Sequence, residues 1–411
     1  MKKGQRAASM IILLVASAAI ISASVLHAFS FAPKPASRCH DIFDGRTILV
    51  LELRISPASS DSLRLKSRKY VSAQLFVGGE LFQNIGLHLK GRGTFQPLEA
   101  KPSFTLNLLK FGETKKLGGQ SKIHLNNSAE DSTFLQEQIG ARLFQAAGVP
   151  APKVVHALVT LNGRELGLYI LKEGFSEEFL ARSFGNADGA LYDNEGGHDV
   201  DQAMKRHGGN CREAGLERLA SAALEPDLDL RWRRLSQLLD SEQFVSFAAM
   251  EIILCHWDGY ALAQNNFRVY HDPGRDKYIF LPSGMDQLFG NARLPWRPQM
   301  SGLVCRAFLE VPEGRRLFER RFRVLVDEVL NPARIVREAA SSLATLHDAV
   351  SSHFLARATE DADELYTQIF QRRLELDAQL LHSSANVMKG SFLSQEQMNR
   401  YAQTETGFYA H

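Results

Sequence analysis

Alternation of apolar and polar positions dominates the first half of the chain. Short runs with this strand-like pattern occupy residues 47–54, 72–77, 86–90 and 104–108, with Gly- or Pro-containing turns between them. Residues 154–161 and 166–172 repeat the pattern and are joined through Asn162-Gly163, the strongest short signal for a β-hairpin. The pattern predicts a mostly antiparallel sheet over residues 47–173.

Helical periodicity appears once within this region and then dominates the second half. Residues 128–147 carry an apolar stripe at helical spacing, with Ser128 as the predicted cap and Asp131 in the first turn. Residues 242–255 form the clearest later helix, because Asp240 and Gln243 resemble a capping box. Residues 303–385 are also predicted to be helical.

Two further segments complete the predicted organisation. Residues 267–271 and 277–281 predict a hairpin that turns at residues 272–274. Residues 185–215 are rich in Gly, Asp, Asn and His and predict a long solvated loop or lid. A β-rich first half and an α-rich second half favour an α+β protein with two lobes, at residues 39–175 and 176–390. A polar tail follows at residues 391–411.

The N-terminus carries a signal for export. Lys2, Lys3 and Arg6 precede a stretch over residues 7–37 whose one charged side chain is Lys34 and whose most apolar part is residues 10–29. An uncleaved membrane anchor is favoured over cleavage near Ala23 or Ala28. In both cases residues 1–38 are the targeting segment and linker, and the rest of the chain lies outside the cytoplasm.

Composition and charge are those of a soluble globular domain. Hydrophobic residues make up 45% of the 411 residues and charged residues 23%. The net charge is only +2, so no overall positive field favours nucleic acid. No spacing of the four cysteines suggests zinc. One disulfide among Cys39, Cys211 and Cys305 is expected in an oxidising compartment, with Cys255 a buried thiol.

Two carboxylates and a carboxamide are predicted to meet at one end of the second hairpin. Asp258 follows the helix 242–255, Asn265 and Asn266 open the first strand, and Asp286 follows the second. Antiparallel pairing returns the chain beside its starting point, which brings Asn266 and Asp286 together. Such oxygens suit Mg²⁺, and a further carboxylate suits the proton of an attacking hydroxyl. Asx turns and helix caps are the structural alternative.

The chain resembles the spore coat protein H kinase family, which are atypical secretory-type protein kinases. The resemblance covers most of residues 70–385. It is carried, in chain order, by LHLKGRGTFQPLEAKPSFTLNL, NNSAEDSTFLQEQIGARLFQAAGVP, VTLNGRELGLYILKEGF, GALYDN, HWDGYALAQNNFRVYHD and GMDQLFG. It implies a two-lobed protein-kinase-like fold that transfers the γ-phosphoryl group of ATP to Ser or Thr hydroxyls of proteins, with Mg²⁺ or Mn²⁺.

The resemblance also implies roles for individual residues. Asp258 would be the catalytic base, and Asp286 would hold the metal with Asn266 or Asn265. The segment 169–175, with Lys172 and Glu173, would lead from the sheet to a hinge where backbone groups meet adenine.

A cation near the phosphates is also implied. Arg92 or Lys101 would contact the phosphates, and Glu137 would orient that cation, with Glu130 and Asp131 competing for this role.

One departure from the family pattern leaves alternatives open. The family often shows an acidic residue two positions before the metal-binding Asp, where this chain has Gly284. A catalytically inactive kinase-like protein with a structural or assembly role in the cell envelope or coat is therefore the rival hypothesis. A hydrolase that acts on cell-wall glycans through paired carboxylates is a third. His256 is interpreted as a structural histidine, and Trp257 and Tyr260 as lining a nucleotide pocket or packing in the core.

Overall fold

A computed structural model describes residues 41–194, 197–209 and 215–390, with side chains described up to residue 383. The described residues of 41–77 and 81–390 form one compact unit. Within the described part of the chain, no helix is both long and apolar enough to cross a bilayer. The predicted targeting segment 1–38, the tail 391–411, Cys39 and Cys211 lie outside the described residues.

Seven strands of the first half close into a barrel, in the order β1-β2-β3-β4-β5-β7-β6. β1 and β6 pair in parallel, which closes the barrel, whereas β1–β2, β3–β4, β4–β5, β5–β7 and β6–β7 are antiparallel, as expected for the mostly antiparallel sheet that the sequence predicts. The strands are β1 (Leu49–Ile55), β2 (Val71–Val77), β3 (Glu80–Lys90), β4 (Ser103–Asn107), β5 (Lys122–Asn126), β6 (Val154–Leu161) and β7 (Arg164–Glu173).

Alternate side chains of these strands fill the barrel, and the others face outward. In β5, Ile123 and Leu125 are fully buried in the barrel core, whereas Lys122, His124 and Asn126 alternate with them on the outer face. This strand is missing from the sequence prediction. The hairpin between β6 and β7 turns at Asn162-Gly163 as predicted, and both residues adopt positive φ.

Two helices, rather than the single predicted one, accompany the barrel strands: α1 (Pro57–Leu65) and α2 (Gln136–Ala146). α2 begins eight residues later than predicted. Ser128 adopts a left-handed φ of 55°, which a capping residue in extended backbone does not have. Asp131 instead organises the loop, because its carboxylate accepts the backbone N–H groups of Thr133 (3.1 Å) and Gln136 (2.9 Å).

Helices dominate the second half, as predicted, and surround a small sheet in the order β11-β10-β8-β9. β8 (Ala190–Asp193) and β9 (Lys205–His207) fall in the segment predicted to be a loop, so that prediction is wrong for these residues. β10 (Phe267–Asp272) and β11 (Lys277–Pro282) form the predicted hairpin. The helices are α3 (Glu177–Phe184), α4 (Glu217–Ala223), α5 (Leu228–Leu238), α6 (Ser241–Ile253), α7 (Tyr260–Ala263), α8 (Leu303–Glu310), α9 (Pro312–Glu328), α10 (Pro332–Ala344) and α11 (Ser352–Gly390).

Candidate functional site

The end of α6 delivers Asp258 into a loop through a left-handed turn. Cys255 has a φ of 54°, and its N–H donates to the carbonyl of Ile252 (3.1 Å). The N–H of His256 donates to the carbonyl of Glu251 (2.8 Å). This pair of bonds is the Schellman arrangement, in which glycine usually occupies the left-handed position. The turn ends the helix sharply and begins the loop that carries Asp258.

Two carboxamides hold the carboxylate of Asp258. Its Oδ2 accepts hydrogen bonds from Nδ2 of Asn265 (2.9 Å) and Nδ2 of Asn266 (2.7 Å). The three side chains are half-buried, so the carboxylate keeps access to solvent. The predicted meeting of Asp258 with these asparagines is present, although the amide nitrogens face the carboxylate.

The β10–β11 hairpin brings the Asp286 loop beside Asn266. Phe267 pairs with Pro282, and the N–H of Ser283 donates to the carbonyl of Asn266 (3.0 Å). Gly284 then approaches so closely that a Cβ there would lie 2.3 Å from Oδ1 of Asn266. Asn266 therefore lies between Asp258 and the loop that carries Asp286.

Further hydrogen bonds join this loop to the end of α6. The imidazole Nε2 of His256 lies 3.0 Å from the carbonyl oxygen of Gly284, and the ring is fully buried. The N–H of Phe289 donates to the carbonyl of Leu254 (2.8 Å). The two carboxylate-bearing loops are thus held against each other on both sides of Asp286.

Helix α2 packs against the Asp286 loop from the barrel side. The N–H of Leu288 donates to Oε1 of Gln136 in the first turn of α2. At Gly140 a Cβ would lie 2.9 Å from both Met285 Sδ and Leu288 Cδ1, so only glycine allows this approach without a shift. Residue 137, next to Gln136, is consequently held close to Asp286.

Glu137 forms a buried ion pair with Lys172 of β7. Both side chains are at most 6% exposed. The sequence prediction that Glu137 orients Arg92 or Lys101 is therefore wrong, and the pair is made with a lysine that the prediction placed at the hinge. Lys172 is fixed on the outer face of the barrel by its position directly opposite His124.

Three more cationic groups and one histidine extend the site beyond this pair. Lys90, at the end of β3, donates to the carboxamide oxygen of Asn126. Arg268 of β10 forms an ion pair with Asp193 (2.8 Å) and stacks on Phe175, 4.3 Å from the ring centre. Lys122 and His124 extend the set along β5. We call Lys90, Lys122, His124, Lys172 and Arg268 the cation cluster.

Burial and nearby charges of the same sign shift the pKa values of three groups at the site. Burial, followed by the charge of Glu137, raises the pKa of Asp286 to about 6. Burial and then the charge of Lys172 lower the pKa of Lys90 to about 8. Burial and the charges of Lys90 and Arg268 hold the pKa of His124 well below its usual range. His124 is therefore neutral at neutral pH, and a bound polyanion would favour the charged form of Lys90.

The residues near Asp286 also suit a divalent cation. Lys172 contacts only one oxygen of Glu137, and Oε2 is buried without a hydrogen-bond partner. An unpaired buried carboxylate oxygen beside a second carboxylate is a costly arrangement that a cation relieves. The described residues contain no group of three or more His, Cys, Asp or Glu that could hold a metal by themselves. Phosphate oxygens or water would have to complete the coordination.

Arg92, Lys101 and Glu173 lie outside this constellation. Arg92 is exposed, and its guanidinium has no partner among the described residues. The ammonium of Lys101 lies over the rings of Phe134 (4.8 Å) and Tyr169 (5.0 Å), and burial lowers its pKa to about 8. The carboxylate of Glu173 accepts from the backbone of Lys153 (3.0 Å) and from Arg182 (2.6 Å). Their predicted contacts with nucleotide stay predictions.

Asp199, in the polar loop after β8, is a buried, hydrogen-bonded carboxylate and is not exposed to solvent. Asp199 is only 1% exposed and accepts from the N–H of Leu303 (2.7 Å) and the hydroxyl of Tyr260 (3.0 Å). Tyr260 is accordingly a core residue, whereas Trp257 is 55% exposed beside Asp258. Cys255 and Cys305 are buried free thiols, which confirms the prediction for Cys255 and removes Cys305 from the predicted disulfide.

Sequence reasoning missed four members of the cation cluster: Lys90, Lys122, His124 and Arg268. The available signal was the alternation Lys-Ile-His-Leu-Asn over Lys122–Asn126, which puts three polar side chains on one face. Cross-strand register then determines which of them meet Lys90 and Lys172, and register between distant strands is not readable from one sequence.

Comparison with known proteins supports the family. The sequence profile described as CotH kinase protein matches residues 89–375. The chain is 26% identical to Invasin CotH2 of Rhizopus delemar over 54% of its own length and 41% of the relative. It is 22% identical to Inner spore coat protein H of Bacillus subtilis, over 44% of the chain and 54% of the relative. The chain thus spans about half the length of the curated relatives it matches.

Among solved structures, the proinflammatory kinase CtkA of Helicobacter pylori matches with a TM-score of 0.30 and 9% identity, over 76% of this chain and 91% of that one. A likeness this low carries no argument. The family profile spans well over half of the chain and includes Asp258, Asp286, Glu137 and Lys172. The chain belongs to the CotH kinase protein family.

Proposed function

We propose that the chain is a protein kinase that transfers the γ-phosphoryl group of ATP to Ser or Thr hydroxyls of proteins. The observation that carries the proposal is the placement of Asp258 and Asp286 on two loops that are hydrogen-bonded to each other, with Asn266 between them. On the barrel side, Lys90 and Lys172 of the cation cluster interact electrostatically with Asp286. A held carboxylate, an acid suited to a metal and a set of cations are the parts that phosphoryl transfer requires.

Each group has a role that its surroundings support. Asp258 would accept the proton of the acceptor hydroxyl, since Asn265 and Asn266 fix its orientation and leave it half-buried. Lys172 and Lys90 would bind phosphate oxygens, with Glu137 holding Lys172 in place.

Asp286 and the unpaired Oε2 of Glu137 would hold Mg²⁺ or Mn²⁺. Such an ion neutralises charge on the phosphates. The fold would be two-lobed and kinase-like, with the barrel and α2 as one lobe and the helical half as the other.

The domain would act outside the cytoplasm. This rests on the basic N-terminus followed by an apolar stretch, and it agrees with the spore coat and invasin names of the curated relatives. Membrane contact would be made through the N-terminal segment only, or would be absent if that segment is cleaved. The partners would be protein substrates and not nucleic acid, because the chain is nearly neutral.

Gly284 favours a second candidate, a catalytically inactive kinase-like protein with an assembly role. An acid is absent at this position, and the close contact with Asn266 leaves no space for one without a shift. Intact Asp258 and Asp286 favour the enzyme.

Nucleotide binding to the full chain, with and without Mg²⁺ or Mn²⁺, tests the metal-bridged site. We expect the metal to strengthen ATP binding to the parent protein and to have no such effect on Asp286→Ala. ATP binding that neither the metal nor this substitution changes would exclude the assignment of Asp286. Glu313→Ala, an exposed acid of α9, is the matched control.

A further inference from the structure

Arg372 of α11 is a fully buried arginine bound only to backbone carbonyls. Its Nε donates to Ile253 (3.1 Å) and its Nη2 to Ile252 (2.8 Å). Its Nη1 donates to Ala292 (2.8 Å) and Leu294 (2.6 Å). The side chain is 0% exposed, and no carboxylate among the described residues forms an ion pair with it. A charged group buried this way needs a specific compensation.

The end of α6 supplies that compensation. The last carbonyls of a helix lack partners within the helix and carry the negative end of its dipole. Ile252 and Ile253 belong to this last turn; the guanidinium donates to both carbonyls, and that of Ile252 also accepts from the N–H of Cys255. Burial lowers the pKa of Arg372, but a guanidinium starts so high that it stays charged.

The carbonyls that Arg372 joins belong to the two segments that carry the catalytic acids. Ile253 precedes Asp258 by five residues, and Ala292 follows Asp286 by six. A guanidinium is a rigid planar fork, so it sets the separation between the two backbones that it contacts. The nearby bond from Phe289 N–H to Leu254 O lies between the same segments.

We propose that Arg372 is a positioning residue that fixes the separation of Asp258 and Asp286. This inference rests on the proposed function for its effect on catalysis, while its effect on loop geometry is independent of activity. Without the fork, the loop after Asp286 loses two hydrogen bonds to the rest of the protein. Two buried carbonyls at the end of α6 lose a donor as well. Asp286 would then sample positions away from Asp258.

The test compares Arg372→Met, Arg372→Lys and the control Arg373→Met in the full chain. Arg373 is the next residue of α11 and contacts Val326 and Asp327 of α9 instead of the two loops. Two quantities are measured: the kcat and KM of phosphoryl transfer, and the hydrogen exchange of the Phe289 amide. A misplacement of about 1 Å lowers rates by about 100-fold.

We expect Arg372→Met to lower kcat by about 100-fold with little change in the KM for ATP, and to speed exchange at Phe289. Arg372→Lys should recover part of both, since an ammonium keeps the charge but not the fork. Arg373→Met should match the parent in both. If Arg372→Met does not fold, the kcat, KM and Phe289 exchange of Arg372→Lys are compared with those of Arg373→Met and the parent.

Parent-like exchange and kcat in folded Arg372 variants would overturn the inference. Equal changes in Arg373→Met would overturn it too, because they would indicate a general loosening of α11. A parent protein without phosphoryl transfer would refute the proposed function instead, and the exchange at Phe289 would then decide the role of Arg372 alone.

Discussion

Gly284 combines a left-handed backbone conformation with close contact to the side chain of Asn266, which holds Asp258. Its φ of 58° is in the left-handed region, and its Cα faces the carboxamide that holds Asp258. An L-residue in this conformation costs about 1–2 kcal/mol before any steric clash is counted. A Cβ at residue 284 would also clash with the carboxamide of Asn266. The clash adds to that cost and displaces the side chain of Asn266, which lies between Asp258 and Asp286.

Gly284→Ala is therefore expected to lower the free energy of unfolding by at least about 1–2 kcal/mol. It should also reduce phosphoryl transfer strongly, because Asn266 must shift away from Asp258. Urea unfolding and initial rates measure the two effects. Gly290→Ala in the same loop is the control, since a Cβ there meets nothing within 4 Å and the residue has no positive φ. Equal stability of the two variants would contradict this account of Gly284.

The raised pKa of Asp286 makes the free energy of unfolding depend on pH. Burial and Glu137 raise its pKa to about 6, above the usual 3.8. Between these values the folded protein keeps a proton that the unfolded chain has lost, so stability falls as the pH rises from about 4 to about 6. Above pH 6 the loss is complete and constant.

Asp286→Asn should remove this loss. Without metal, the variant should be more stable than the parent at pH 7.5, by an amount on the order of 1–3 kcal/mol. The difference should shrink as the pH falls towards 4. Unfolding in urea with a chelator, at several pH values, measures it. A stability difference that does not vary with pH would show that Asp286 ionises freely.

At the residue scale, the sequence predicted the acids better than the cations. Asp258, Asn266 and Asp286 are close in sequence, so one hairpin decides whether they meet. Lys90 and Lys172 come from strands that other strands separate, and their neighbourhood depends on barrel register. A single sequence does not contain that register.

The ion pair between α2 and β7 is the element-scale feature on which the site depends. Lys172 and Glu137 are buried and join the helix to the barrel. Removing one partner of a buried pair costs about 3–5 kcal/mol, because it leaves the other charge buried alone. Replacing both with apolar residues of similar volume is often nearly neutral.

Lys172→Met alone is thus expected to destabilise the protein by about 3–5 kcal/mol, and Lys172→Met with Glu137→Leu to regain most of it. Both proteins should lose phosphoryl transfer. For comparison, the exposed pair of Arg316 and Glu313 should cost less than about 1 kcal/mol to break. A double variant no more stable than Lys172→Met would argue against a buried pair.

Elements with strong local signals are the ones that the sequence predicted. The turn at Asn162-Gly163 and the cap at Asp240 are local, and the structure has both. β5 was missed because five residues give a short alternation inside a region of loops. α2 begins late because the carboxylate of Asp131 accepts hydrogen bonds from the backbone of the loop before it, a local alternative to the helix that apolar periodicity does not reveal.

At the scale of the molecule, the barrel and the helical half meet at the Asp286 loop. α2 contacts this loop through Gln136 and Gly140, and the end of α6 contacts it through Leu254 and His256. Closure of the barrel by the parallel pairing of β1 with β6 was not predictable, because it joins strands about 100 residues apart. The meeting of the two halves follows from these long-range contacts.

Transfer of labelled phosphate from ATP to a Ser- and Thr-rich acceptor protein measures the proposed kinase activity itself. We expect metal-dependent labelling by the parent chain and its loss in Asp258→Asn, which keeps the shape of the side chain but not its basicity. Glu313→Ala should label the acceptor as the parent does. Labelling by Asp258→Asn at the rate of the parent, or no labelling by the parent with either Mg²⁺ or Mn²⁺, would contradict the assignment of this site to protein phosphorylation.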